Sequence, residues 1–361
     1  MIREDIRSLF AFRQSPVRWP IGLQAAISVS VPLAVFQLAG YEELGLMASM
    51  GAFVSLYSAA MSRVRRAQVL PIIILGMIAS SALGVATSHS LALGLVTLFV
   101  VASVASVLCL GARIGPPGPV FFVLIAGVSG YLAAPAELGG VERDPFAIIS
   151  MVSVGSVFAY LVVLAPLLVT KYRERELERY NSEEARSHPR FAFDHESGPI
   201  VGRIIAASGI AALVSAPLGI DRAYWVFVAV VAILQNFAHI RVTAIRGIHR
   251  ALGTFLGVGA FALVAMLHPQ GLWLAATLGM LQFTVELLVT RNYGLALVFI
   301  TPLALLISTF GAGTDVGAVV RERAIDTVIG VAIALGVLLL AWTFRRIRSA
   351  RISRLPSNGR G

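Results

Sequence analysis

Long apolar runs, each near twenty residues and bounded by charge, proline or glycine, fill most of the chain, and the pattern predicts an all-α protein of about twelve transmembrane helices. Six runs occupy the first part, at residues 20–39, 44–61, 69–87, 91–110, 117–134 and 147–170. A polar stretch, 171–198, follows, and its early charges alternate in sign, which reads as a helical extension of the sixth run and then a loop. Six more runs come after it, at 199–217, 223–240, 251–267, 271–290, 293–310 and 324–344. Ahead of the first run, Ile2, Ile6, Leu9 and Phe10 recur at helical spacing, which predicts a short amphipathic surface helix rather than a cleaved leader. The expected plan is thus an amphipathic start (1–19), a six-helix half (20–170), a linker (171–198), a second six-helix half (199–344) and a basic tail (345–361).

Charge then sets the orientation. With the start of the chain inside, 25 of the 29 Lys and Arg residues fall on the inner side, and only Arg143, Arg222, Arg321 and Arg323 fall outside. The positive-inside rule places both termini in the cytoplasm, with the helices in a bacterial inner (plasma) membrane. The net charge of +10 is therefore a topology signal, and nucleic acid is not an expected partner. Composition agrees: 57% of residues are hydrophobic and 13% charged, where a soluble domain has about 25% charged. Cys109 is the one cysteine, so neither a disulfide framework nor a thiolate metal site is expected, and no cofactor is implied.

A displacement of about 178 residues superposes the two halves in pattern: Arg63 meets Arg241, and Pro119-Val-Phe-Phe meets Leu297-Val-Phe-Ile. Each half has an even number of spans, so both run in the same sense. The expected architecture is two parallel six-helix repeats about an axis along the membrane normal, with a substrate path between them.

Polar residues inside the apolar runs are the candidates for chemistry. Glu286 sits within Leu281-Gln282-Phe283-Thr284-Val285-Glu286-Leu287-Leu288, where a carboxylate is costly unless paired, protonated or wet. It reads as a proton-carrying or coupling acid, or else as a structural partner of Arg291. Between the eighth and ninth runs, Arg241, Arg246 and Arg250 stand in an inner loop, where guanidinium groups suit the capture of carboxylates; ordinary topology signals are the alternative. Gln235, Asn236 and Arg291 are further candidates for the substrate path. Gly253 and Gly257 form a small-xxx-small pair for close helix packing. Asp326, beside Arg321 and Arg323, is expected near the outer face at the start of the last helix.

Absences narrow the mechanism. The only lysine, Lys171, follows no glycine-rich loop, so ATP hydrolysis by a Walker-type site is excluded. No His-Glu-x-x-His pattern, Gly-x-Ser-x-Gly elbow or cysteine pair occurs, so the chain is not expected to be an enzyme. Secondary transport is the reading that remains, with a passive anion channel or a membrane scaffold as the alternative.

Several spaced blocks carry a family likeness: Tyr224-Trp225, Arg250-Ala-Leu-Gly253-Thr254-Phe-Leu-Gly257, Glu286-Leu-Leu-Val-Thr-Arg291-Asn292-Tyr293, Val298-Phe-Ile-Thr301-Pro302 and Arg323-Ala-Ile-Asp326. On these, residues 199–340 resemble the fusaric-acid-resistance proteins, also called aromatic acid exporters. The resemblance implies a six-plus-six helical inner-membrane protein that exports aromatic or other organic carboxylic acids, in some members with a periplasmic adaptor. Larger members carry a sizeable cytoplasmic domain, whereas the linker here is under thirty residues. The expectation is a proton-motive-force-driven exporter of organic anions in the lipid bilayer, with Glu286 coupling and a homo-oligomer possible in principle.

Overall fold

The computed structural model describes residues 12, 14–15, 18–184, 191–193, 196–218, 222–235, 240–309 and 316–352, and every regular element among them is a helix. The first half holds α1 (Trp19–Leu38), α2 (Glu42–Gly51, extended by a 3-10 turn Ala52–Leu56), α3 (Arg63–Ala86), α4 (Leu91–Gly111), α5 (Val120–Ala133) and α6 (Pro145–Leu164, then a 3-10 turn Ala165–Leu168). The polar α7 (Thr170–Glu184) follows. The second half holds α8 (Ser197–Leu218), α9 (Tyr224–Leu234), α10 (Ile240–Met266), α11 (Gly271–Leu288), α12 (Tyr293–Thr309) and α13 (Val316–Ile352). Residues Ile2, Ile6, Leu9 and Phe10 of the expected surface helix, and residues 353–361 of the tail, lie outside the described residues.

Among the described residues, α1, α3, α4, α6, α8, α10, α11 and α13 are long and apolar enough to cross a bilayer. The chain is a multi-pass, all-α membrane protein. Four apolar helices are shorter: α2, α5, α9 and α12 have 10, 14, 11 and 17 residues. At 1.5 Å per residue α9 covers only about 16 Å, roughly half the hydrocarbon thickness. These four are the second and fifth apolar helices of each half, so the shortening itself repeats.

The helix contacts repeat as well. Within the halves, α3 packs on α5 as α10 packs on α12, α2 on α6 as α9 on α13, and α1 on α2 as α8 on α9. Across the halves, α1 meets α11 as α8 meets α4, and α5 meets α9 as α12 meets α2. Exchanging the halves leaves this pattern unchanged, as expected of two repeats related by one pseudo-two-fold axis. The short helices form the centre: every residue of α9 is buried, as is α5 from Phe122 to Ser129. The long helices surround them and expose Ile72, Leu75, Leu213, Leu256 and Leu339, an apolar surface suited to lipid. Where α2, α5 and α12 meet, Met50, Phe53, Ile125, Val128 and Ile307 close around a space of about 10 Å³. That is room for about one water molecule.

Several boundaries differ from the sequence expectation. The second run, 44–61, is α2 with its 3-10 turn, which ends at Leu56 because Tyr57 is extended and Ser58 takes a φ of 54°. The eighth run, 223–240, is α9, which stops at Leu234, while Ile240 already opens α10. The inner loop expected to hold Arg241, Arg246 and Arg250 is helical throughout, because Thr243, Gly247, Arg250, Thr254 and Gly257 recur at helical spacing and form its buried face. The last helix begins at Val316 rather than at 324. The polar α7 is no direct extension of α6, since Val169 is extended between them. It folds back so that the Glu176 and Glu183 carboxylates accept from the Arg63 and Ser62 backbone N–H groups at 2.5 and 3.0 Å, at the N-terminus of α3.

Candidate functional site

The shortness of α9 positions the site. Each half sends an arginine from its third helix to the end of its second: Arg66 donates to the carbonyls of Ser55 and Tyr57 at 2.6 and 3.2 Å, and Arg246 donates to that of Ala232 at 2.7 Å. A cation there satisfies carbonyls that a helix C-terminus leaves open and opposes the negative end of its dipole. In the second half the same region holds more charge. The guanidinium of Arg246 also lies 3.8 Å over the ring of Tyr293, the first residue of α12. One turn along α10, Arg250 donates to the Tyr293 hydroxyl at 3.2 Å.

From the far end of α9 comes Arg323 of α13, whose guanidinium lies 3.7 Å over the ring of Trp225. Arg323 is 2% exposed and Arg250 is 4% exposed. The two are within electrostatic reach of each other, and Arg323 is also within reach of Asp326, Tyr224 and Tyr293. A full-length helix would hold such residues at opposite membrane faces; the short α9 lets them converge.

The cluster is rich in unused donors. Nε and Nη1 of Arg323, Nε of Arg250 and the hydroxyls of Tyr224 and Thr254 are buried without a hydrogen-bond partner. Cation–π contact with Trp225 contributes about 2 kcal/mol to a desolvated guanidinium. That does not replace the hydrogen bonds, and a buried cation lacking them is costly. Two guanidinium groups within electrostatic reach of each other, with free donors and flanked by aromatic rings, suit a carboxylate or other oxyanion.

The remaining candidates are dispersed. Glu286 is 4% exposed and accepts from Nη2 of Arg18 at 3.0 Å; Arg18 precedes α1. Its ion-pair partner is therefore Arg18 and not Arg291, which is half-buried in the turn after α11. Ser15 and Thr290, 3.0 Å apart, add a second tie at the same place. These bonds link the start of the first half to the second. Arg241 is exposed at the start of α10. Gln235 is buried against Gly118, with its carbonyl oxygen unpartnered. Asn236 lies outside the described residues. Gly253 and Gly257 face α12, where a Cβ on Gly253 would come 2.4 Å from the Gly294 carbonyl oxygen, and one on Gly257 would come 2.6 Å from Thr301 Cβ.

Asp326 and Arg323 depart furthest from expectation. They do not cap the last helix at the outer face but lie buried inside it, because α13 starts at Val316. Sequence reasoning did not assign Arg323, Trp225, Tyr224 or Tyr293 to the site. The apolar residues Val316, Ala318, Val319 and Val320 ahead of Arg321 were the available sign that the helix begins earlier.

Comparison with known proteins bears on the same region. The membrane protein YvaC of Bacillus subtilis (strain 168) is 30% identical over 175 residues, which is 47% of this chain and 27% of that protein. The protein slr1298 of Synechocystis sp. (strain ATCC 27184 / PCC 6803 / Kazusa) is 33% identical over 150 residues, 40% of this chain and 18% of that protein. The chain thus aligns with about a quarter or less of the length of these relatives. No solved structure matches it. Residues 207–337 match the fusaric acid resistance protein-like family, and that range takes in Trp225, Arg250, Tyr293 and Arg323 together. The second half of the chain, with its buried arginine cluster, is accordingly similar to the fusaric acid resistance protein-like family.

Proposed function

We propose that this protein is a secondary exporter of small organic acids in a bacterial inner membrane, with both termini cytoplasmic, and that Arg250 and Arg323 bind the substrate carboxylate. The observation that carries the reading is the pair of buried guanidinium groups with unfilled donors beside a shortened helix. Short apolar helices in equivalent positions of two repeats are where transporters place substrates. The family name adds support for an aromatic carboxylic acid as the cargo.

Energetics favour outward movement. An interior-negative potential of about 100 mV assists the expulsion of one negative charge by about 2.3 kcal/mol. The apolar closure around Met50, Phe53 and Ile307 supports alternating access over an open pore, since an anion cannot pass a dry seam of that width. Glu286 with Arg18 joins the two halves and is the proposed coupling pair: protonation of the carboxylate breaks the ion pair and frees the halves to rock.

The test is counterflow of labelled benzoate in proteoliposomes. Arg250→Gln and Arg323→Gln should each cut flux at least tenfold while leaving the monodisperse peak in size-exclusion chromatography in place. Flux at the wild-type level in both variants would remove the arginines from the substrate path.

A further inference from the structure

A second polar group, Tyr131 with Arg222, lies beside Tyr224. A cavity of about 200 Å³ runs between α3, α4 and α5 and ends on Ala223 and Tyr224. It sits at the end of these helices expected to face outward, with Thr87, Ser88, Thr97 and Glu137 in its wall. Tyr131 and Tyr224 both line it, with ring centres 6.4 Å apart. The Tyr224 hydroxyl is buried and has no partner. The Tyr131 hydroxyl accepts from Nη2 of Arg222 at 2.7 Å, so its own proton remains to be donated. Arg222 is 6% exposed, stacks 4.6 Å over the Tyr131 ring and acts electrostatically on both phenols.

We infer that this cavity is a second substrate station, in which the phenols of Tyr131 and Tyr224 in its wall, backed by Arg222, hold the carboxylate of a small organic acid after it leaves Arg323. The inference rests on the anion-export reading above and extends it along the path. Phenol hydroxyls polarised by a guanidinium that does not itself contact the ligand make a weaker acceptor site than two arginines. Weaker binding suits release. Tyr224 touches both stations: it walls the cavity and is within electrostatic reach of Arg323. Glu137 in the wall weakens the hold of the cavity on an anion. Glu322, 3.4 Å from Arg222, leaves that arginine too balanced to trap the ligand.

The experiment measures benzoate binding to the purified full-length protein by equilibrium dialysis. Four proteins are compared: wild type, Arg323→Gln, Tyr131→Phe with Tyr224→Phe, and Arg323→Gln with Tyr131→Phe and Tyr224→Phe added. The phenylalanines keep the rings and remove only the hydroxyls. Arg323→Gln should retain one weaker site, and the added pair should weaken that site at least tenfold. Gly94→Leu is the independent check, because Gly94 lines the cavity and a Cβ there meets nothing within 4 Å. It should block the weak site by filling the space while the fold stays intact. Loss of all binding in Arg323→Gln alone would overturn the second station and leave the arginine site standing. Loss of all binding in the tyrosine variants with Arg323 retained would instead support the station and displace the arginine site. Wild-type protein that binds no benzoate would overturn both.

Discussion

The packing of α10 on α12 can be tested by adding one methyl group at two positions of the same helix. At Gly253 a Cβ would lie 2.4 Å from the Gly294 carbonyl oxygen and 2.7 Å from Leu297 Cβ, where ordinary contact begins near 3.4 Å. The carbonyl oxygen is backbone and cannot rotate away, so Gly253→Ala must part the two helices by about 1 Å. Overpacking of this kind costs about 1–3 kcal/mol. At Gly259, six residues along and on another face of the helix, nothing lies within 4 Å of the added carbon. There alanine recovers only the helix propensity that glycine lacks, about 0.5–1 kcal/mol in favour of the fold. Identical chemistry should therefore act with opposite sign.

The assay is thermal denaturation of the purified protein in detergent, followed by loss of the monodisperse peak. Gly253→Ala should melt several degrees below wild type, and Gly259→Ala at or slightly above it. Functional damage should track position as well. Gly294 follows Tyr293, so parting α10 from α12 draws the Tyr293 hydroxyl away from Arg250. Benzoate binding should then weaken in the Gly253→Ala protein that remains folded. Equal melting of the two variants would refute the close approach of these helices.

The Arg18 and Glu286 pair makes a second prediction: Glu286→Gln should cost about 2 kcal/mol, below the roughly 3–5 kcal/mol of a fully buried pair because Arg18 keeps some contact with solvent. In liposomes with an imposed pH gradient at zero potential, that variant should lose gradient-driven substrate accumulation; accumulation like wild type would exclude Glu286 as the coupling acid. A third concerns topology: a reporter fused at Ser187 should read as cytoplasmic, and a periplasmic reading would invert the organisation argued from the arginine distribution.

Which features were legible in the sequence follows from what each depends on. Class and repeat depend on runs of side chains and on loop charge, and both are local. The short helices were not legible. Hydropathy runs unbroken from Leu44 to Met61, and only the backbone turn at Tyr57 and Ser58 ends α2. Charge misled the placement of α13: Arg321, Glu322 and Arg323 read as a water-facing loop, yet Arg323 and Asp326 point into protein. The resemblance, read over residues 199–340, coincided with the family match at 207–337, and its motif blocks supplied the residues of the cluster before any reason for their convergence was visible. The Arg18 and Glu286 contact joins positions 268 residues apart, through the α1 and α11 pairing that only the exchange of halves explains.

The repeat has kept its frame and divided its chemistry. Arg66 and Arg246 perform the same service at the ends of α2 and α9, which shows how closely the backbones correspond. Around Arg66 the first half closes with Phe53 stacked on Phe121 at 4.3 Å and with the Tyr57 hydroxyl donating to the Gly118 carbonyl at 2.7 Å. Its buried guanidinium is satisfied by carbonyls. Around Arg246 the second half instead buries Arg250 and Arg323 with donors unfilled. Sequence, packing and polar satisfaction agree across most of the molecule, and a local violation that persists marks a place held for something other than stability. Because Arg66 is satisfied where Arg250 and Arg323 are not, an acid bound between the repeats as proposed would meet unfilled guanidinium groups on one side and an apolar, aromatic wall on the other. An amphipathic acid, with one carboxylate and an apolar body, matches that asymmetry better than a symmetric or wholly polar ion.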